Sequence, residues 1–356
     1  MEYSRLPPVP VYSLAERRNS GIMNRMQAAF YTRQGPAREV LQVGEQPLPV
    51  PGRGEVRVKL YTCGVNPSDW KVRRGGFGRG LMAPLVIPHS DGAGIIEATG
   101  EAVARRRGER VWIWNGQWKR PFGTAAQYIV VPSAQAVNLP DPIDYAAGAC
   151  LGIPALTAIQ AVTLATIQPG DWVLISGGAG AVAHYAIQLA KMRGARVITT
   201  VSSDAKGAHA GNAGADVIVN YTCADVVESV KAATQGAGVA RIIEVDLARN
   251  AKLYPGILRP HSTVVIYGTS SSESSIPSLW LMQNSVTLRP FLIYEIPASD
   301  RAAAIAALNE LLASNRLIHT IAHRLPLHAV AQAHEMLESG GVIGNVVLEI
   351  PTASDP

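Results

Sequence analysis

One stretch of the chain, residues 171–203, constrains the fold more than any other. It opens with a short apolar run at residues 172–175 and continues through a turn of small residues at 177–183. Apolar residues at helical spacing follow to about residue 193, and a β-branched run occupies residues 196–201. A short apolar strand, a tight turn, a helix and a second apolar strand predict a βαβ unit in a parallel sheet.

The small residues of this turn indicate a dinucleotide site. They follow the spacing Gly177-x-x-Gly180-x-x-Ala183, which differs from the stricter Gly-x-Gly-x-x-Gly form, and a tight turn without a ligand is the alternative. The N-terminus of the following helix attracts a pyrophosphate, and larger side chains at the turn would hold the phosphates away. We therefore expect Gly177, Gly180, Ala181 and Val182 to bind the cofactor.

The residues after the second strand indicate which dinucleotide binds. An NAD site places Asp or Glu there to hold the ribose 2′-hydroxyl. This chain has Ser202 and Ser203, no acid before Asp204, then Lys206, and Tyr221 ends the next strand-like run. Hydroxyls and a cation suit a 2′-phosphate, so the sequence predicts NADPH rather than NADH. The alternative for Lys206 is an ordinary solvated lysine at the start of a helix.

The composition argues against several classes of partner. The 356 residues carry 32 basic and 27 acidic side chains, and the net charge of +5 is dispersed, with no basic stripe that would bind nucleic acid. No apolar run reaches the roughly 18 residues of a membrane span. The three cysteines are far apart, which favours a reducing cytoplasm and argues against a four-cysteine zinc site. We expect a cytoplasmic protein that binds neither nucleic acid nor membrane.

The sequence patterns divide the chain into parts, and its length predicts two domains. Residues 1–25 are rich in Pro and Arg without periodicity, and we expect a disordered tail. Short strands with Gly and Pro turns then predict a β-barrel-like domain. From Asp144 onwards, helical and strand-like stretches alternate, as in a doubly wound sheet. A final helix and strand suggest that the C-terminus returns to complete the first domain.

One loop of the β-rich part carries a candidate catalytic side chain. Pro67 keeps Asn66 away from helical geometry, so the Asn66 amide can project from the loop. A lone loop asparagine is more often an Asx-turn residue than a catalytic one, and this alternative stays open.

Several motifs occur in a fixed order along the chain. They are found at residues 64–69 (Gly-Val-Asn-Pro-Ser-Asp), 91–94 (Asp-Gly-Ala-Gly), 108–111 (Gly-Glu-Arg-Val), 123–128 (Gly-Thr-Ala-Ala-Gln-Tyr), 177–183, 214–221 and 340–344 (Gly-Gly-Val-Ile-Gly). In this order they resemble the medium-chain dehydrogenase/reductase superfamily, and most closely its zinc-free quinone oxidoreductase (zeta-crystallin-like) branch. The resemblance extends from about residue 26 to residue 350.

The resemblance implies an α/β fold with two domains. A Rossmann domain with a doubly wound parallel sheet is expected at residues 151–289. A GroES-like β-barrel domain, completed by the C-terminus, is expected at residues 26–150 and 290–356. The cofactor would lie in the cleft between them. Zinc-dependent members have Cys at the position of Asn66 and His at that of Ser90, so we expect no metal here.

The resemblance also implies roles for single residues. Asn66 is expected to contact the nicotinamide ribose or the substrate. Tyr61 is a second catalytic candidate, although its place on a strand could bury it for packing. Thr157, which could instead bond its own backbone, and Gly268 are expected near the cofactor. Asn345, which stands where relatives carry lysine, is expected to bind the cofactor as well.

The reaction that the resemblance implies is hydride transfer from NADPH to a quinone or an α,β-unsaturated carbonyl compound. An enoyl-thioester reductase shares the fold and the Asn-Pro-x-Asp loop, and a non-catalytic NADPH-binding protein is the alternative outside enzymes. The run at residues 285–292 is expected to form the last strand of the parallel sheet. As in the family, it would pair with its copy across a two-fold axis in a homodimer.

Overall fold

The structure, a computed structural model, describes residues 25–78 and 80–351. The predicted disordered tail lies outside these residues except for Arg25, which opens the first strand. The elements before residue 150 are mostly strands, in the order β1 (Arg25–Phe30), α1 (Ala37–Val40), β2 (Gln42–Pro47), β3 (Glu55–Val65), α2 (Pro67–Arg73), β4 (Asp91–Thr99), β5 (Arg110–Ile113), β6 (Tyr128–Pro132), β7 (Ala136–Asn138) and α3 (Tyr145–Gly148).

Helices and strands alternate in the middle of the chain. They are α4 (Leu156–Ala165), β8 (Trp172–Ile175), α5 (Ala181–Met192), β9 (Arg196–Val201), α6 (Asp204–Asn212), β10 (Val217–Asn220), α7 (Val226–Thr234), β11 (Val239–Glu244), α8 (Leu247–Asn250), α9 (Tyr254–Ile257), β12 (Leu258–Ile266), α10 (Ser278–Gln283) and β13 (Thr287–Pro290). The last elements are α11 (Ala298–Ala313), β14 (Ile321–Pro326), α12 (Val330–Glu338) and β15 (Asn345–Glu349). Among the helices that the structure describes, none is long and apolar enough to cross a membrane.

The middle strands form a six-stranded sheet in the order β10-β9-β8-β11-β12-β13, and every neighbouring pair is parallel. The chain changes direction across the sheet between β8 and β11, and ligands of doubly wound sheets bind at such a switch point. The predicted doubly wound sheet is therefore confirmed. Its β8–α5–β9 unit is the one that the sequence predicts at residues 171–203.

The last strand of this sheet is shorter than predicted. β13 starts at Thr287, because α10 extends to Gln283 and Ser285 adopts a left-handed φ of +50° in the turn between them. Pro290 is opposite Ile266 at the end of the strand. Within the described chain β13 pairs with β12 alone, so it forms an edge of the sheet.

A second, mostly antiparallel sheet has the order β14-β15-β3-β4-β5-β7, with β6 also paired to β3. β15 lies antiparallel to β3, with Val347 opposite Gly64. The C-terminus thus completes the GroES-like barrel domain, as the sequence predicts.

The pairing of β15 with β3 does not test the predicted domain boundary at residue 290, which stays a prediction. α11 lies beyond that boundary, yet it packs against α4 of the middle part. Leu308 and Leu312 of α11 share a buried core with Ile159 of α4. Burial of the apolar face of α11 therefore links the C-terminal segment to the Rossmann domain as well as to the barrel.

Candidate active site

The glycine turn brings the N-terminus of α5 close to the sheet without intervening side chains. Gly177 has a left-handed φ of +70°, and its carbonyl accepts a hydrogen bond from the Gly180 N–H over 2.9 Å. A Cβ atom on Gly178 would collide with the side chain of Thr199 on β9. Ala181 and Val182 open α5, where the first N–H groups have no partner within the helix. A helix N-terminus that is approached this closely favours an anionic group, and binding of the cofactor pyrophosphate here stays a prediction.

A C-terminal loop lies directly against this turn. The N–H of Gly344 donates to the Ala179 carbonyl over 2.9 Å, and Gly344 has a left-handed φ of +95°. The Asn345 amide Nδ2 and backbone N–H both donate to the Thr320 carbonyl, over 2.9 and 3.0 Å. The Asn345 side chain thus holds the loop in place, and its predicted cofactor contact stays a prediction.

Ser202 and Lys206 come together after β9, and their contact with NADPH stays a prediction. Lys206 Nζ lies 3.0 Å from Ser202 Oγ and 2.9 Å from the Gly340 carbonyl of the C-terminal loop. Ser203 caps α6, and its hydroxyl accepts the Lys206 N–H over 3.4 Å. The Tyr221 N–H donates to the Val201 carbonyl over 3.0 Å, which places this exposed tyrosine beside the end of β9.

Gly268 lies where the carboxyl ends of β11 and β12 meet. A Cβ atom there would collide with the Val245 carbonyl, so only glycine allows this approach. The sequence analysis missed Glu244, which is buried at the end of β11 and accepts the Ser176 hydroxyl hydrogen bond over 2.7 Å. That bond ties β8 to β11 at the switch point. The sequence offered one signal for Glu244, namely an acidic residue within an apolar strand-like run.

Asn66 is buried and paired rather than projecting from an open loop. Its Nδ2 donates to Asp91 Oδ2 over 2.9 Å, and its backbone N–H donates to Asp69 Oδ2 over 2.7 Å. Asn66 precedes α2 and Asp91 opens β4. The Asx-turn alternative therefore describes only part of its role, because the amide itself bonds a second strand.

Asp91 also contacts the segment that precedes α4. Residues Leu151–Ala155 form a π-helical turn, and the Ile153 N–H donates to Asp91 Oδ2 over 3.1 Å. Helical turns of this type often occur at functional sites. Thr157 lies one turn further on. Its hydroxyl is buried and has no hydrogen-bond partner among the described residues, so a ligand could supply one.

The two carboxyl groups around Asn66 have altered acidity. Burial raises the pKa of Asp69 to about 7, although the Asn66 N–H bond acts in the opposite direction. Burial also raises the pKa of Asp91 well above its usual value, and the charge of Asp69 adds to the effect. Burial therefore disfavours the ionised form of both carboxyl groups.

Tyr294 is a polar residue of this region that sequence analysis missed. It follows β13 and places its hydroxyl 2.9 Å from Ser68 Oγ in α2. Its ring stacks on Trp118 with centroids 4.4 Å apart. No local pattern marks Tyr294, because Ser68 is 226 positions away along the chain.

Tyr61, the second catalytic candidate, lies in different surroundings from Asn66. It is half-buried, and its ring packs on Tyr145 with centroids 4.7 Å apart. Lys59 Nζ lies 5.8 Å from the same ring. These contacts serve packing between β3 and α3. The structure does not bring Tyr61 into the Asn66–Asp91 pair, and its catalytic role stays a prediction.

The positions where zinc-dependent relatives carry ligands are occupied by Asn66 and Ser90. The Ser90 hydroxyl is buried and accepts the Gln117 N–H over 3.4 Å. His89, one residue earlier, is buried and lies in a turn, with Nε2 2.9 Å from His334 Nε2. Within residues 25–78 and 80–351, no group of three or more His, Cys, Asp or Glu side chains is arranged to hold a metal ion.

Comparison with known proteins gives two family matches. Residues 52–141 match the model described as alcohol dehydrogenase GroES-like domain, and residues 181–310 match the one described as zinc-binding dehydrogenase. Human quinone oxidoreductase is 29% identical over 315 residues, covering 85% of this chain and 91% of its own. An alcohol dehydrogenase of Geobacillus stearothermophilus is 25% identical, covering 88% and 96%.

Solved structures agree with these matches. A mycobacterial protein, whose structure is a complex with NADPH, superposes with a TM-score of 0.81 at 28% identity, covering 91% of this chain and 99% of its own. The GroES-like and dehydrogenase models together match the two domains that the structure contains. The chain is therefore an oxidoreductase that belongs to the medium-chain dehydrogenase/reductase superfamily, in its quinone oxidoreductase branch.

Proposed function

We propose that this protein is an NADPH-dependent, zinc-independent reductase that transfers hydride to a quinone or an α,β-unsaturated carbonyl compound. One observation carries the proposal: α2, which Asn66 precedes, contacts the residues that follow β12 and β13. Lys71 Nζ lies 3.5 Å from the Thr269 carbonyl, and Ser68 Oγ lies 2.9 Å from the Tyr294 hydroxyl. A dinucleotide binds at this carboxyl edge of a doubly wound sheet, so its reactive end would meet the Asn66 region.

The residues at the carboxyl edge fit a nicotinamide dinucleotide. The glycine turn and the first N–H groups of α5 would hold the pyrophosphate. The unpartnered Thr157 hydroxyl and the Asn66 amide would hold the nicotinamide ribose or amide. Asp91 connects their segments, because it accepts bonds from Asn66 and from Ile153, four residues before Thr157. A bound nicotinamide supplies the hydride, and the protein supplies orientation and electrostatic stabilisation.

The preference for NADPH is supported by Ser202 and Lys206. Lys206 Nζ lies 3.0 Å from Ser202 Oγ, and together they would meet a 2′-phosphate; Asp204 accepts the Asn220 amide over 3.5 Å. The mycobacterial neighbour, solved as a complex with NADPH, superposes with a TM-score of 0.81. The charge of Lys206 would favour the phosphorylated cofactor.

The proposal of zinc independence rests on the donor set. A catalytic zinc needs about three protein ligands, whereas the two family positions carry an amide and a hydroxyl, Asn66 and Ser90. The Asn66 amide is also already committed to Asp91. In the absence of a Lewis acid, charge that develops on the substrate oxygen would be stabilised by N–H and O–H donors.

A turnover panel tests the function. Purified protein, with and without exhaustive chelation, is assayed for NADPH and NADH oxidation with quinones, enones and enoyl thioesters. We expect turnover with a quinone or enone, preference for NADPH and no effect of chelation. Turnover restricted to enoyl thioesters would favour the alternative reductase, and absence of all turnover beside tight NADPH binding would favour a non-catalytic protein. If the purified protein contains stoichiometric zinc and chelation removes both the zinc and the activity, metal independence is refuted.

We also propose that the protein forms a homodimer through β13. This edge strand adjoins α10, where Leu279 and Met282 are 67% and 76% exposed. An unpaired strand edge beside exposed apolar side chains is commonly covered by a second copy. Val286 and Leu288 pack on the protein's own core. A substitution at an exposed α10 residue therefore tests the dimer contact better than a substitution at Val286 or Leu288.

A further inference from the structure

We propose that Tyr294 is a catalytic residue whose hydroxyl donates a hydrogen bond, and then a proton, to the substrate oxygen. Ser68 is the positioning residue that holds this hydroxyl and returns its proton. The inference rests on the reductase function proposed above, and it names the group that meets the developing charge in place of a metal.

The position of the Tyr294 hydroxyl supports this role. Tyr294 comes from the segment after β13, at the carboxyl edge of the parallel sheet, and its hydroxyl lies 2.9 Å from Ser68 Oγ. Ser68 is two residues from Asn66, which bonds Asp91. The phenol therefore lies between the barrel residues of the site and the edge where the nicotinamide would bind.

The electrostatic surroundings keep this phenol protonated. Burial raises the pKa of Tyr294, and the charges of Asp69 and Asp91 raise it further. Hydrogen bonds with Ser68 and Ser90 act in the opposite direction but do not outweigh burial. At neutral pH the hydroxyl is thus a donor, as a group that stabilises a negative oxygen must be.

Asn115 provides a second, independent indication of a polar ligand at this place. Its Nδ2 donates to the Tyr294 carbonyl over 3.1 Å, whereas its Oδ1 is buried without a hydrogen-bond partner among the described residues. Asn115 also has a left-handed φ of +52°. A buried unsatisfied oxygen costs about 1–3 kcal/mol, and a ligand N–H or O–H would offset this cost.

The chemical step balances with these groups. Reduction adds a hydride, a hydrogen with two electrons, to an electrophilic carbon of the conjugated substrate and moves a π pair onto its oxygen. The O–H bond of Tyr294 breaks as its proton passes to that oxygen. In the same step the Ser68 hydroxyl passes its proton to the Tyr294 oxygen and takes one from solvent, so no free phenolate is left. The substrate gains two electrons and two hydrogens in total.

Tyr294→Phe tests the donor while it keeps the ring that stacks on Trp118. We expect kcat/KM to fall about 100-fold, the magnitude for one oxyanion donor, with NADPH affinity unchanged. Tyr254→Phe is the control for loss of a tyrosine hydroxyl, because the Tyr254 hydroxyl lies 3.4 Å from Glu244, away from the Ser68 pair. Ser68→Ala should lower kcat and change its pH profile, and Ser68→Thr should restore both.

A binding measurement keeps the inference separate from the reductase function. 4-Nitrophenol changes its absorbance on ionisation, so titration into the protein with oxidised NADP reports whether its phenolate form is favoured. We expect wild type and Tyr254→Phe to favour the phenolate and Tyr294→Phe to lose this preference. If this binding pattern appears but no acceptor is turned over, the role of Tyr294 as hydrogen-bond donor stands and the reductase function is refuted. Equal behaviour of Tyr294→Phe and wild type in both assays, or no binding of the phenol to wild type, would overturn the inference.

Discussion

The side chain of Asn66 donates its amide hydrogen to Asp91 Oδ2 over 2.9 Å, and this bond joins the loop after β3 to the start of β4. Both residues are buried, and Asp91 also accepts the Ile153 N–H from the π-helical turn. One carboxyl group therefore aligns a barrel loop with the segment that leads into the Rossmann domain. We infer that the bond has both a structural and a catalytic consequence.

Asn66→Ala should reduce both stability and turnover. It removes one of the donors to a buried carboxyl group, and an unsatisfied buried group costs about 1–3 kcal/mol. Urea unfolding measures the stability change, and steady-state kinetics measures turnover. Asn284→Ala is the control, because Asn284 donates a similar amide bond over 2.9 Å to the Trp280 carbonyl on α10. Equal turnover of the Asn66 and Asn284 variants would exclude a catalytic role for Asn66.

Lys206→Ala should weaken NADPH binding and spare NADH. A charge-assisted hydrogen bond contributes about 1.5–3 kcal/mol, so NADPH affinity should fall by a factor of about 10–150. Fluorescence titration of both cofactors measures the change. Lys231→Ala is the matched control, since Lys231 forms its ion pair with Glu228 on the exposed α7. A wild-type protein that binds both cofactors equally would contradict the prediction.

Gly268→Ala should impair the cofactor site at the switch point. Its Cβ would collide with the backbone carbonyl of Val245, so the strand ends must separate. We expect lower thermal stability and weaker cofactor binding. Gly211→Ala makes the same chemical change in α6, where the added Cβ meets Ile218 at an ordinary 3.4 Å. There alanine should stabilise the helix by up to about 1 kcal/mol, so a similar loss in both variants would contradict the argument.

Acid should destabilise the protein partly through His89. Burial lowers the pKa of His89 from 6.5 to about 3, so between these values the unfolded chain binds the proton that the folded chain refuses. Stability must therefore fall as pH decreases from 6.5 towards 3, by about 1.4 kcal/mol per pH unit for one proton.

His89→Asn tests this linkage, since asparagine tolerates the left-handed φ of 76°. The slope of unfolding free energy against pH, measured by urea unfolding, should decrease by the contribution of one proton, about 1.4 kcal/mol per pH unit. His261→Asn is the control, because His261 has a similar φ of 60° but is exposed. An unchanged slope in the His89 variant would show that this histidine does not contribute.

Met282→Lys should shift the protein from dimer to monomer. Met282 is 76% exposed beside the β13 edge, so a charge there would oppose apolar contact with a second copy without disturbing the core. Met82→Lys, at a residue 50% exposed in the barrel domain, is the control and should stay dimeric. Light scattering gives the masses, and a monomeric wild type at micromolar concentration would refute the dimer.

The sequence alone determined the βαβ unit, the doubly wound sheet and the NADPH candidates Ser202 and Lys206. Each of these depends on features within a few residues: apolar periodicity, small residues at a turn, and the first side chains after a strand. Such features act through local backbone geometry, so they are visible without the fold. The order of the motifs along the chain also identified the superfamily correctly.

Only the tertiary structure decided which polar groups share the site. Tyr294 meets Ser68 across 226 positions, and His89 meets His334 across 245. Asn345 donates its amide to the Thr320 carbonyl, and Tyr61 packs on Tyr145. The Tyr294 and His334 contacts arise where late parts of the chain pack back on the barrel. No pattern within a single strand or helix encodes which side chains meet there.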